Sequence, residues 1–143
     1  LEIVSFNELK SILARDLTIE SYNLIHPGGS AAYSITTSTA KLCCLLDNEY
    51  REDQFQSLST FIDEANLTIW DGMFTADELQ HYRGWGHSSM EQGEAFLERS
   101  NCKRLAITHH APYRTDIQLD AMQQSFKDPA IFIAREKQVE IYD

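Results

Sequence analysis

Three observations predict an α/β fold. Short apolar strands alternate with capped amphipathic helices, the strand patterns stop at turn signals, and residues able to do chemistry gather at strand ends. No repeat or low-complexity linker divides the 143 residues, so residues 1–143 read as a single unit. Residues 1–9 alternate loosely as a strand. Residues 17–25 alternate as another, stopped by the turn signal His26-Pro27-Gly28-Gly29. Residues 31–37 and 41–46 flank Ser38-Thr39-Ala40 as a hairpin. Its second arm, apolar from Leu42 through Leu46, reads as a strand covered on both faces and ends at Asp47.

A helix is expected over residues 52–65, with Phe55, Leu58, Ile62 and Ala65 on one stripe. Residues 67–70 form a short buried strand ending at Asp71. Ser88-Ser89-Met90-Glu91 reads as a capping box opening a helix to residue 99, with Met90, Phe96 and Leu97 facing inward. Residues 104–108 are a strand ending at His109-His110. Thr115-Asp116 caps a helix carrying Ile117, Leu119, Met122 and Phe126, and residues 131–142 read as two short strands around Glu136-Lys137.

With 43% hydrophobic and 24% charged residues, six Gly and three Pro, the chain is neither disordered nor collagen-like. No apolar run approaches a membrane span, so no membrane partner is expected. Twelve Lys and Arg against 22 Asp and Glu leave a net charge of −10, a field that repels nucleic-acid backbones and argues against nucleic-acid coating. Cys43, Cys44 and Cys102 are an odd number, and two are sequence neighbours with poor disulfide geometry. Small buried thiols in a reducing, cytoplasmic compartment are the expectation.

Four strands end in a metal-binding or proton-moving residue: His26, Asp47, Asp71 and His109. His87 precedes a capped helix. Each alone has a plainer reading: His26, Asp47 and Asp71-Gly72 as turn residues, His87 as a surface side chain. Their joint occurrence at one rim favours a site, because loops at the carboxyl ends of strands converge on one crevice. Of His109 and His110, neighbours on a strand face opposite sides, so at most one would ligate. His81 reads as solvated. Histidine with carboxylate suits zinc, manganese or iron.

The segments His26-Pro27-Gly28-Gly29, Asp47-Asn48-Glu49-Tyr50, Asn66 through Phe74, Gly84-Trp85-Gly86-His87-Ser88-Ser89 and Thr108-His109-His110-Ala111-Pro112 stand in a familiar order. The chain resembles the metallo-β-lactamase superfamily hydrolases, nearest their phosphodiesterase and tRNA 3′-end processing endonuclease branch. The resemblance implies part of an αββα sandwich, mixed sheets flanked by helices, with two divalent metal ions at one edge, zinc first and manganese or iron as alternatives. It implies His26, Asp47 and His109 as metal ligands, and Asp71 with His87 as a proton-transfer pair on the leaving oxygen. Two cations ~3.5–4 Å apart activate a water and clamp the attacked phosphate.

The His-x-His-x-Asp-His loop of that superfamily is absent from this sequence. The chain therefore reads as the carboxyl-terminal half of a hydrolase, inactive alone, whose partner is the missing amino-terminal half of the same fold. A half-sandwich exposes sheet surface and open edges, which favours pairing with another chain, a homo-oligomer included. The acidic surface points to a small phosphodiester substrate. The alternative is a non-catalytic, degenerate interaction or scaffold domain of the same fold.

Overall fold

The computed structural model describes residues 17–142, and the strand expected at residues 1–9 lies outside the described residues. Six strands, β1 (Thr18–Leu24), β2 (Ser30–Thr36), β3 (Lys41–Leu45), β4 (Leu67–Asp71), β5 (Leu105–Thr108) and β6 (Ile131–Ile133), form one sheet in chain order. β1–β2 and β2–β3 pair antiparallel, and β3 to β6 pair parallel. Only β2 runs against the rest. The carboxyl ends of β1, β3, β4 and β5 therefore share one edge, which is what a common site requires.

The parallel steps need crossovers, and helices supply them. A 3₁₀ turn, Glu52–Gln54, leads into α1 (Phe55–Phe61); α2 (Ala76–Leu79) and α3 (Met90–Arg99) follow β4, and α4 (Asp116–Ser125) follows β5. The first helix is shorter than its apolar stripe suggests. Ile62 is its C-cap and Glu64 turns left-handed at φ 58°, yet Leu58, Ile62 and Ala65 are all fully buried. The third helix begins one residue later than expected. Ser89, not Ser88, is the N-cap: its hydroxyl accepts from Gln92 N, and its own N–H donates to Gln92 Oε1. Its Met90, Phe96 and Leu97 are buried as the period required. In α4, Ile117 is solvent-exposed, whereas Leu119, Met122 and Phe126 pack against the core. The tail holds only β6; a left-handed turn at Lys137 follows, and Arg104 ties residues beyond it through Glu140 and the Tyr142 hydroxyl. Turn and ion pair replace the second expected tail strand.

The core lies between the helices and one face of the sheet, built from Cys43, Leu45, Trp70, Leu105, Ile107 and Ile131 against Leu58, Ile62 and Phe96. The opposite face is different. Along it run Tyr33, Ile35, Leu42, Cys44, Leu67, Ile69, Ala106 and Phe132, matched in register across five strands. Tyr33, Ile35 and Leu42 are exposed, and a shallow apolar depression of about 400 Å³ opens over Leu67, Ile69, Ala106 and Phe132. The expectation that β3 is covered on both faces is therefore corrected: among the described residues, helices cover one face.

Cys43 and Cys102 are buried, Cys44 is half-buried, and all three are free thiols. Burial pushes the Cys43 thiol up to about 12 from 9.0, and raises Cys44 and Cys102 as well. Two outcomes are expected. Ile107→Ala, at a fully buried site, costs about 2–5 kcal/mol in urea denaturation. Because unfolded thiols ionise first, stability falls as pH rises from 9.0 towards about 12. Cys43→Ala flattens that alkaline loss.

Candidate metal centre

The rim is assembled by three adjacent parallel strands. β4 ends on Asp71, opposite Thr108 of β5. Just past β3 the backbone turns left-handed at Asp47 (φ 54°), and just past β5 it does so again at His109 (φ 59°). Non-glycine residues avoid this region, and strained backbone of this kind concentrates where a particular side chain must be aimed. His109 thus lies beyond the strand rather than on it, so the strand alternation expected of His109 and His110 does not apply. Asp47, Asp71, His87 and His109 each bring one donor atom to within 4.8 Å of one another. His110 lies outside this group, and burial lowers its pKa below the ordinary imidazole value.

Asp71 is the anchor of the four. Its residue is fully buried, and its carboxylate accepts from His87 Nδ1 (2.8 Å), Asn48 N (3.2 Å) and Met73 N (3.2 Å). With Nδ1–H donating to Asp71, Nε2 is the nitrogen of His87 left for chemistry. The His87 ring stacks on His109 at 4.9 Å, and His109 Nε2 stands 3.3 Å from Asp47 Oδ1. That separation is close to the ligand–ligand edge of a tetrahedral ion with bonds of about 2.0–2.1 Å. Asp47 and His109 thus offer a carboxylate and an imidazole at ligand spacing, chemistry that fits zinc, manganese or iron, with the Asp71–His87 pair beside them.

His26 reaches the same rim without joining the four donors. Its ring lies 5.5 Å from that of His87, and its Nδ1 accepts from Gly28 N at 3.1 Å. The approach depends on Gly86: a Cβ there would stand 2.2 Å from His26 Cδ2 and 2.6 Å from Pro27 Cδ, and φ is +92°. His81 is exposed, as expected.

Three residues that hold the site together were given no part in the site by the sequence reading. Asn48, fully buried, accepts from Ile25 N through Oδ1 (3.0 Å), so it ties the residue before His26 to the loop after Asp47. Ser88 donates to the Asn48 carbonyl and accepts from Tyr50 N (3.1 Å). That is why Ser88 does not cap α3. Glu49 accepts from both Gly84 N (2.7 Å) and Gly86 N (3.1 Å), pinning the loop that presents His87. The only sequence signal for these was their place beside Asp47 and His87.

The chain matches no protein-family profile and no curated protein. Solved structures do match. The chain superposes on the metallo-beta-lactamase fold protein YhfI from Bacillus subtilis with a TM-score of 0.68 and 23% identity, covering 86% of this chain and 48% of that one. The short form of human tRNase Z gives 0.62 and 21%, covering 69% and 38%. A diphosphatase from the PhnP family gives 0.60 and 13%, covering 90% and 45%. The chain has the metallo-β-lactamase fold. It spans half or less of the length of these metallo-β-lactamase fold structures. Its six-stranded mixed sheet flanked by helices is that part of the fold, with the candidate metal centre at the carboxyl edge of its strands.

The left-handed backbone at His109 gives a direct check. His109→Gly should exceed His109→Ala in stability by about 1 kcal/mol in denaturant titrations, since only glycine adopts that region without a Cβ penalty.

Proposed function

We propose that this chain is part of a metal-dependent hydrolase of the metallo-β-lactamase superfamily acting on phosphodiesters. One observation carries the reading: half-buried His87 on buried Asp71 stands beside the Asp47–His109 pair at one rim. Two divalent ions, zinc first and manganese or iron as alternatives, would supply an activated water and Lewis acidity at the phosphate. Asp47 and His109, joined by His26, would hold them together with the His-x-His-x-Asp-His loop that this sequence lacks. Asp71 accepts from Nδ1–H and so directs His87; in the doubly protonated ring, Nε2–H would then deliver its proton to the departing alkoxide oxygen, leaving neutral imidazole with Nδ1–H still on Asp71. A poor leaving group needs that proton most.

The names of two matching structures, a tRNase and a diphosphatase, support chemistry at phosphorus. The charge of −10 favours a small diester over a long polyanion. The apolar sheet face fits the other half of the same fold as its partner, and the chain alone is then inactive. Three free thiols suit a reducing, cytoplasmic setting; among the described residues, no helix is long and apolar enough to cross a membrane.

The test joins this chain to a segment carrying the ligand loop, then measures bound metal and hydrolysis of bis(p-nitrophenyl) phosphate and of an alkyl diester. Chelation should abolish both activities. His87→Ala should lower turnover of the alkyl diester by about 10²–10⁴-fold and affect the p-nitrophenyl substrate far less. Equal effects on both diesters would remove the proton-donor role, and a metal-loaded assembly inert to every diester would remove the reading.

A further inference from the structure

We propose that Trp85 is a stacking platform for a nucleobase, so that the diester handled at the neighbouring rim is a nucleotide. The proposal rests on the hydrolase reading for the place of the phosphate, and on the following observations for the base.

Tryptophan is highly buried on average, yet Trp85 is 61% exposed. Nor does it sit on a loose segment. Gly84 and Gly86, on either side, both adopt left-handed backbone and both donate their N–H to the Glu49 carboxylate. Behind the indole runs an aromatic series. Trp85 stands edge-on to Tyr82 at 5.1 Å, Tyr82 stacks on Phe74 at 4.7 Å and 5°, and Phe74 meets His87 edge-on at 6.2 Å. The exposed ring is therefore fixed by a stack that ends on the site histidine.

Position agrees with this. Trp85 is two residues from His87, at most about 7 Å between Cα atoms, which is of the order of the separation between phosphate and base within one nucleotide. Tyr113, also exposed, lies on the neighbouring rim loop, with its hydroxyl 3.4 Å from Glu78; Arg114 next to it pairs with the same Glu78 at 2.6 Å. The two rim loops thus each carry an exposed aromatic ring. An acidic chain gains little from attraction to a phosphate backbone, whereas stacking on a base is independent of net charge.

Trp70, the other tryptophan, is 1% exposed, so an exposed-indole signal belongs to Trp85. The chain is titrated with AMP and, as the base-free counterpart, ribose 5-phosphate, following tryptophan emission and the histidine imidazole NMR signals. AMP should quench the exposed emission saturably, and ribose 5-phosphate should not. Trp85→Ala should weaken AMP binding by about 5- to 150-fold, Trp85→Phe should retain most of it, and ribose 5-phosphate should bind all three proteins alike. Equal binding of the two ligands, wild-type AMP affinity in Trp85→Ala, or no quenching at all would overturn the proposal. Trp85-dependent AMP binding in an assembly inert to diesters would leave the platform standing and remove the hydrolase. Diester turnover indifferent to Trp85→Ala would do the reverse.

Discussion

Burying a carboxylate at the end of a central strand is costly unless its lone pairs are used, and at Asp71 they are used three times. The donors come from different places: Met73 from its own strand exit, Asn48 from the loop after β3, and His87 from the loop before α3. Each bond that offsets the cost of burial also fixes a segment of the rim. Asn48 then carries the constraint to the end of β1 through Ile25, and Ser88 closes it onto the Asn48 carbonyl. The candidate centre is thus held by one hydrogen-bonded junction around a single buried charge.

That rim is not relaxed. Asp47 and His109 both hold left-handed backbone, and two glycines with positive φ frame Trp85. Strain of this kind persists where surrounding structure over-determines it, which is what the β3–β4–β5 register and the Asp71 junction provide. Stability is conceded where donor atoms have to converge.

The rest of the sheet shows a similar asymmetry. One face is closed by helices over Trp70, Leu105 and Ile107, while the other presents Tyr33, Ile35 and Leu42 to solvent. An apolar face running in register across five strands is a surface shaped for a cover. The solved structures of this fold are about twice as long as the part matched here.

The sequence alone determined what depends on a few neighbouring residues. Period and turn chemistry placed the strands ending at Leu24, Leu45, Asp71 and Thr108, and the stripes of α1 and α3. Polar residues at strand ends disclosed His26, Asp47, Asp71 and His109, with His87 before a capped helix, and of these five the structure gathers Asp47, Asp71, His87 and His109. The capping box read from sequence puts the N-cap at Ser88; Ser89 caps instead, because Ser88 is bonded to the Asn48 carbonyl, 40 residues away. Tertiary structure also decided that His109 leaves its strand left-handed, that His26 stays at ring contact with His87, and which sheet face the helices cover. These depend on register and on groups brought together from distant segments, whereas periodicity and capping act within a turn or two of the chain.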